Sequence, residues 1–179
     1  FVRRLKERYG DFYLVPEGGA NVQAVKGCEE IVTELEATYD FICCSSGTGA
    51  TLAGIVAGLD GKSKVIGFPA LKGGSFLRSD IEKLIVERNG KSYANWQLNT
   101  DFHFGGYAKF KPELINFING FKRQHEIPLD PIYTGKMLYG MFDLIRKDFF
   151  HPESRILAVH TGGVQGVRGF NERYGGIIL

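Results

Sequence analysis

The sequence has few of the features that mark secreted, membrane or nucleic-acid-binding proteins. Only three of its 179 residues are cysteine. Two of these, Cys43 and Cys44, are adjacent and would point to opposite faces of a strand, which argues against a disulfide framework. No apolar run reaches the roughly 18 residues that a membrane helix needs, and the N-terminus lacks the apolar core of a signal peptide. A net charge of +2 gives no reason to expect a nucleic-acid or membrane partner. These absences predict a cytoplasmic protein with reduced thiols.

Methionine is also scarce, and the positions of the two methionines bear on where the complete protein begins. The chain begins at Phe1, and its only two methionines, Met137 and Met141, lie in the C-terminal half. We therefore expect the complete protein to contain a further portion upstream of Phe1.

Short apolar runs alternate with helical patterns along the whole chain. The apolar runs at 12–16, 41–44, 64–68, 93–98 and 155–160 are typical of strands. Helical spacing covers residues 1–9, 22–38, 51–59, 76–89, 112–125 and 135–149. Because no hairpin signal interrupts this alternation, the sequence predicts an α/β fold, a parallel sheet with helices on both faces. Residues 1–179 are expected to form a single, incomplete domain.

Glycine turns follow three of the predicted strands, at 18–19, 47–49 and 162–163. In a parallel α/β sheet, ligands bind at the carboxyl ends of the strands. We therefore expect the three turns to line one rim of the sheet.

The turn "SSGTGAT" connects a predicted strand to a helix and is suited to an anion. Successive backbone N–H groups and a helix N-terminus converge there, beside the hydroxyls of Thr48 and Thr51. It is not a nucleoside triphosphate loop, because the second spaced glycine and its lysine are missing. It is also a poor dinucleotide motif, since Leu52 replaces the third glycine. A single terminal phosphate fits best, while Gly54 and Gly58 are expected only to let the helix pack closely.

With this turn, the stretches "YLVPEGGAN", "LDPIYTGKMLYGM" and "LAVHTGG" carry a family resemblance. The chain resembles the pyridoxal-phosphate enzymes that include D-cysteine desulfhydrase and 1-aminocyclopropane-1-carboxylate deaminase, which have the tryptophan-synthase-β-like fold (fold type II). The likeness covers nearly all 179 residues. It implies pyridoxal phosphate as cofactor. It also implies the large domain of that fold without its N-terminal part and without the small domain.

The resemblance also implies roles for individual residues. It assigns the phosphate-binding turn, called here the phosphate cup, to Gly47, Thr48, Gly49, Ala50 and Thr51. Tyr107 and Tyr133 are placed like the two active-site tyrosines of the family. Thr161 matches the hydroxyl that faces the pyridine nitrogen in the desulfhydrases. Thr134, beside it, stands where the cyclopropane deaminases carry a glutamate.

The lysine that forms the Schiff base is expected upstream of Phe1, because no lysine in the chain stands in the family's context. Lys72 is expected in a solvated loop, and Lys136 in the first turn of a helix with a surface or structural role. His103 and His160 are also expected to be structural, since no second ligand stands at metal spacing.

A neutral hydroxyl near the pyridine nitrogen makes the ring a weaker electron sink than a carboxylate would. A thiolate is a good leaving group, so the resemblance favours D-cysteine desulfhydrase-like β-elimination to a keto acid, ammonia and sulfide, catalysed by a homodimer. However, the run 164–168, "VQGVR", departs from the family's small apolar run, so the substrate stays open. The alternatives are 1-aminocyclopropane-1-carboxylate deaminase, a non-catalytic module that binds phosphate ligands, and a nucleotide-binding oxidoreductase domain.

Overall fold

The computed structural model describes residues 1–179 and contains one four-stranded sheet. Its strands are β1 (Phe41–Ser46), β2 (Lys64–Pro69), β3 (Trp96–Leu98) and β4 (Ile156–Val159). They lie in the order β3-β2-β1-β4, and each neighbouring pair is parallel. The predicted parallel sheet is therefore confirmed, and β1 and β2 lie at its centre.

Seven α-helices surround this sheet. They are α1 (Val2–Tyr9), α2 (Val22–Thr33), α3 (Ala50–Leu59), α4 (Leu77–Asn89), α5 (Pro112–His125), α6 (Thr134–Arg146) and α7 (Gly166–Tyr174). The predicted N-cap of α2 is present, because the Asn21 side chain accepts a hydrogen bond from the Ala24 N–H at 2.9 Å. None of the helices is long and apolar enough to cross a membrane.

The sheet separates two apolar cores. Ile42 and Cys44 of β1 pack with α2, α3 and α4 on one face. Phe41 and Cys43 pack on the other face, with α5, α6 and the Phe170 side chain of α7. The side chains alternate because successive strand residues point to opposite faces. The adjacent cysteines are accordingly buried on opposite sides of the sheet, as free thiols.

Gly54 and Gly58 of α3 have a packing role, as the sequence predicts. A Cβ added at Gly54 would lie 2.7 Å from the Val25 carbonyl oxygen, and one at Gly58 would lie 2.7 Å from Cγ2 of Val32. Both neighbours belong to α2. Glycine at these two positions therefore lets α2 and α3 approach to backbone contact.

Three sequence predictions about elements are wrong. Residues 12–16 form no strand: Tyr13 is 74% and Val15 64% exposed, and no neighbouring strand pairs with them. Helix α2 ends at Thr33 rather than at residue 38. Helix α7 is not predicted, because its glycine-rich start hides the helical spacing.

Candidate functional site

A cavity of about 580 Å³ lies at the carboxyl ends of the strands, and we call it the rim cavity. Each of the three glycine turns contributes to its lining, through Gly18, Gly47 and the pair Gly162 and Gly163. The structure brings together in this lining eight of the nine predicted site residues: Gly47, Thr48, Gly49, Ala50, Thr51, Tyr107, Tyr133 and Thr161. The sequence therefore identified the correct rim, although one of its turns follows irregular chain rather than a strand.

The start of α3 offers free hydrogen-bond donors to this cavity. Gly49 precedes the helix at φ +93° and no side chain caps it. The first backbone bond of the helix runs from the Ala53 N–H to the Gly49 carbonyl at 2.9 Å. The N–H groups of Ala50, Thr51 and Leu52 thus have no partner within the helix. Such a helix start attracts an anion through its free N–H groups and its dipole.

A buried hydroxyl without a partner lies at the same place. Ser46, the last residue of β1, is 1% exposed and lines the rim cavity. Its Oγ makes no hydrogen bond to the protein. The Oγ atom is closed to solvent and faces Gly67 of β2, where an added Cβ would lie 3.1 Å from it, so glycine at position 67 leaves room for the hydroxyl.

Two glycines keep space open around the phosphate cup. A Cβ at Gly18, where φ is +61°, would come within 2.6 Å of the Thr48 hydroxyl. A Cβ at Gly47 would lie 3.3 Å from Cε1 of Tyr133. The turn at Glu17–Gly19 can thus pack directly on the cup, and the Tyr133 ring can approach its edge.

Tyr107 and Tyr133 form a pair on the cavity wall. Their ring centroids lie 6.1 Å apart at 70°, an edge-to-face arrangement. Burial raises the pKa of Tyr133 to about 12, and the neighbouring Tyr107, Asp130 and Glu17 act in the same direction. The Tyr133 hydroxyl is therefore protonated at neutral pH and can donate a hydrogen bond or a proton into the cavity.

Asp130 fixes the backbone that carries Tyr133, and the sequence analysis missed it. The Asp130 side chain is buried, and it accepts hydrogen bonds from the N–H groups of Ile132 at 2.7 Å, Tyr133 at 2.8 Å and Thr134 at 2.8 Å. A Cβ at Gly163 would lie 2.9 Å from Oδ1 of Asp130, so the glycine turn after β4 packs against this carboxylate. An aspartate-proline pair just before a helix is the local signal that could have identified it.

Thr134 is the one predicted site residue that does not line the cavity. Its hydroxyl donates to Oδ1 of Asp130 at 2.7 Å and accepts from the Asp130 N–H at 3.1 Å. The Thr134 side chain is fully buried. The prediction of direct cofactor contact is corrected here, because both hydrogen-bonding functions of this hydroxyl are used within the protein.

No lysine lines the rim cavity. Lys72 is exposed, as the sequence predicts, and Lys136 is buried within the protein. The side chains of His103 and His160 both contact backbone atoms of the protein. Nδ1 of His103 accepts from the Gly105 N–H at 2.8 Å, and His160 contacts the Pro128 carbonyl oxygen at 3.0 Å through Nε2.

A larger cavity, of about 910 Å³, lies at the opposite, amino ends of the strands. Its wall includes Leu35 and Leu59, which lie at or just beyond the C-terminal ends of α2 and α3. Helix C-termini carry partial negative charge and exposed carbonyl groups. The rim cavity is therefore the better candidate for an anionic ligand.

Comparison with known proteins gives a consistent result. A model of the family described as pyridoxal-phosphate dependent enzymes matches residues 1–162. A protein from Pyrococcus horikoshii, provisionally named a 1-aminocyclopropane-1-carboxylate deaminase, is 32% identical over 90% of this chain and 52% of its own length. The 1-aminocyclopropane-1-carboxylate deaminase of Rhizobium leguminosarum bv. viciae is 28% identical over 97% of this chain and 56% of its own length.

A solved structure shows the same similarity in three dimensions. The crystal structure of a protein described as an ACC deaminase homologue superposes with a TM-score of 0.83 at 32% sequence identity. The match covers 98% of this chain and 57% of the other. The chain thus spans about half the length of the relatives it matches.

Proposed function

The chain belongs to the family of pyridoxal-phosphate dependent enzymes, and on this premise we propose that the rim cavity binds pyridoxal phosphate and serves the deamination of a small amino acid. The observation that carries the proposal is the uncapped start of α3, which lines the rim cavity together with Thr48 and Thr51. The names of the relatives support deamination as the reaction class. The activity and the substrate of the whole protein are part of the proposal.

The residues present fit the cofactor. Its phosphate matches the free N–H groups at Ala50 and Thr51, with the hydroxyls of Thr48 and Thr51 on the same wall. Gly47 leaves room at the edge of the cup, where any Cβ would contact the Tyr133 ring. A volume of about 580 Å³ lies within the range of small-molecule sites. We propose that the cup would hold the phosphate and that Tyr133, whose ring packs against Gly47 at the edge of the cup, would lie beside the bound cofactor.

When bound, pyridoxal phosphate would supply the electron sink that stabilises negative charge on the carbon skeleton of an amino acid as one of its bonds breaks. The chain's own contribution is positioning and proton donation. Tyr133, whose pKa is raised to about 12 by burial, holds its proton at neutral pH and is proposed to donate it to the group that leaves or opens. Tyr107 restricts the cavity beside it, and Thr161 provides a neutral hydroxyl on the same wall.

For the substrate, the comparisons favour 1-aminocyclopropane-1-carboxylate over the D-cysteine that the sequence analysis preferred. The relatives from Pyrococcus horikoshii and Rhizobium leguminosarum bv. viciae carry the deaminase name. D-Cysteine remains a second candidate for one structural reason: Thr161 places a neutral hydroxyl on the cavity wall, and position 134 carries a threonine bonded to Asp130 rather than a glutamate. A neutral partner suffices for thiolate elimination, which demands less of the electron sink.

Binding of pyridoxal phosphate tests the first half of the proposal. Titration followed by visible absorbance and by thermal shift should show binding of pyridoxal phosphate and much weaker binding of pyridoxal, which lacks the phosphate. Thr51→Ala should weaken pyridoxal phosphate roughly 10-fold or more, the effect of losing one hydrogen bond to a charged group. Thr38→Ala, in the cavity at the amino ends of the strands, is the matched control and should change nothing. Equal binding of the two compounds, or stabilisation by NAD alone, would overturn the proposal.

Two substrate assays test the second half. With cofactor supplied, the complete protein, including the upstream portion expected to carry the Schiff-base lysine, should release ammonia and a four-carbon keto acid from 1-aminocyclopropane-1-carboxylate. Release of sulfide and pyruvate from D-cysteine, with no turnover of the cyclopropane, would assign the second candidate instead. Cofactor binding without ammonia from either compound would favour the non-catalytic module.

Two further predictions from the family resemblance concern assembly and location. We propose a homodimer, which light scattering of the eluting protein would check. We also propose a cytoplasmic location, which fractionation of the source cells would check.

A further inference from the structure

A buried lysine lies next to the proposed site without lining it. Lys136 is in the first turn of α6, three residues after Tyr133, and is only 2% exposed. Burial lowers its pKa to about 8, and the charge of Asp130 opposes that shift. At neutral pH the side chain is therefore mostly an ammonium group, and such a group must have hydrogen-bond partners inside a protein.

The partners of Lys136 are three backbone carbonyl oxygens. Nζ donates to the carbonyl of Gly106 at 2.7 Å, to that of His103 at 2.8 Å and to that of Ala70 at 3.4 Å. An ammonium group has three donors and no acceptor. The three carbonyls thus match its full donor capacity.

The three carbonyls belong to two segments that form the wall of the rim cavity. Ala70 directly follows β2 and lines the cavity. His103 and Gly106 lie in the loop between β3 and α5, and Gly106 precedes Tyr107. One side chain therefore connects the start of α6, the end of β2 and the loop that carries Tyr107.

This loop has a backbone that needs external support. Phe104 and Ala108 both have φ of +53°, and the two glycines between them, Gly105 and Gly106, have φ of +101° and +118°. Positive φ is uncommon for residues with a side chain and persists only where the surrounding structure enforces it. Within the loop, the Gly106 N–H bonds to the His103 carbonyl at 3.0 Å, so the Lys136 contact reinforces the same turn from the core.

We propose that Lys136 is a positioning residue for the site: by binding the His103 and Gly106 carbonyls it fixes the loop that sets Tyr107 against Tyr133. The role rests on the proposed function insofar as the tyrosine pair faces the cofactor. The lysine itself does not touch the cavity, so its effect passes through Tyr107.

The test is ¹⁹F NMR of protein in which all eight tyrosines are 3-fluorotyrosine, with the two site resonances assigned from Tyr107→Phe and Tyr133→Phe. Lys136→Met removes the donors at similar size. It should shift the lines of Tyr107 and Tyr133, and also that of Tyr139, whose ring packs edge-to-face on Phe104 of the same loop at 5.0 Å. The other five lines should stay in place. In a Tyr107→Ala background, which removes the ring that contacts Tyr133, the same substitution should leave the Tyr133 line unchanged.

Leu144→Ala is the matched control, a truncation of a buried residue near the far end of the same helix. It should lower the melting temperature without moving the Tyr107 line. If Lys136→Met also lowers the melting temperature but leaves both site lines in place, the positioning role is refuted. If Lys136→Met does not fold, Lys136→Gln keeps two donors on a shorter chain and should shift the Tyr107 line in the same direction. Failure of both variants to fold would assign Lys136 to global stability and overturn the proposal.

A cofactor measurement separates this inference from the proposed function. Lys136→Met should weaken pyridoxal phosphate binding about 5- to 20-fold, and the effect should vanish in the Tyr107→Ala background, which lacks the ring. If the NMR lines move as expected but pyridoxal phosphate does not bind the wild-type protein, the proposed function fails and the positioning role stands. If pyridoxal phosphate binds the variant and the wild type equally and the lines do not move, the positioning role fails and the proposed function stands.

Discussion

Replacing Asp130 by asparagine should cost far more stability than the same change at an exposed helix start. The Asp130 carboxylate, 2% exposed, accepts four hydrogen bonds, three from backbone N–H groups and one from the Thr134 hydroxyl. An asparagine keeps one acceptor oxygen and turns an NH₂ group towards the two donors on its other side. Hydrogen bonds to a charged group contribute about 1.5–3 kcal/mol each, and relief of the buried charge offsets part of the loss. We expect a net loss of about 3 kcal/mol.

The measurement is urea unfolding at neutral pH, analysed as a two-state transition where different probes coincide. For a chain of this size, the loss corresponds to a fall in melting temperature of roughly 6–12 °C. Asp80→Asn is the control, since Asp80 lies in the first turn of α4 but is exposed; its effect should stay within about 0.5 kcal/mol. A loss at Asp130 below about 1 kcal/mol would show that the carboxylate does not hold the start of α6 as described.

Three other predictions address the cores and the titrating groups. Gly54→Ala should destabilise the protein by about 2 kcal/mol or more in urea unfolding, because the added methyl group overlaps the facing helix; an unchanged midpoint would contradict this packing. Burial raises the pKa of Cys43 and of Cys44 to about 12, so a thiol reagent at pH 8 should react with the half-buried Cys28 alone in the native protein; rapid reaction of all three would refute it. Because the pKa of Lys136 is about 8 in the folded protein, against 10.5 for an ordinary lysine side chain, the unfolded chain holds more protons between these pH values. The stability of the wild type relative to Lys136→Met should therefore rise from pH 8 to 10.5, by up to roughly 3 kcal/mol, and a flat or falling difference would be evidence against the lowered pKa.

Much of the fold follows from local patterns in the sequence. The continuous apolar runs that became β1 and β2 predicted buried parallel strands, and α5 has the predicted bounds, Pro112–His125. The wrong strand at 12–16 shows the limit of such patterns. Its residues have strand composition, but a strand also needs a partner, and no local pattern says whether one lies alongside.

The candidate site also has parts that local sequence patterns predict and parts that they do not. The uncapped start of α3 was predictable, because its free donors are backbone groups of one contiguous turn. The Lys136 contact was not, since its carbonyl acceptors lie between 30 and 66 residues away in sequence and any residue type can supply a carbonyl. Thr134 was assigned by analogy of position, and its actual hydrogen bonds depend on Asp130, which the pattern did not single out.

The lining of the rim cavity extends from Glu17 to Gln165, almost the whole described chain. No short segment contains the cavity, and its walls meet only when residues more than a hundred positions apart come into contact. Such contacts carry a high loop-closure cost and form late in folding. A ligand of this cavity should therefore bind the native state but not early folding intermediates. Its binding should slow unfolding more than it speeds folding.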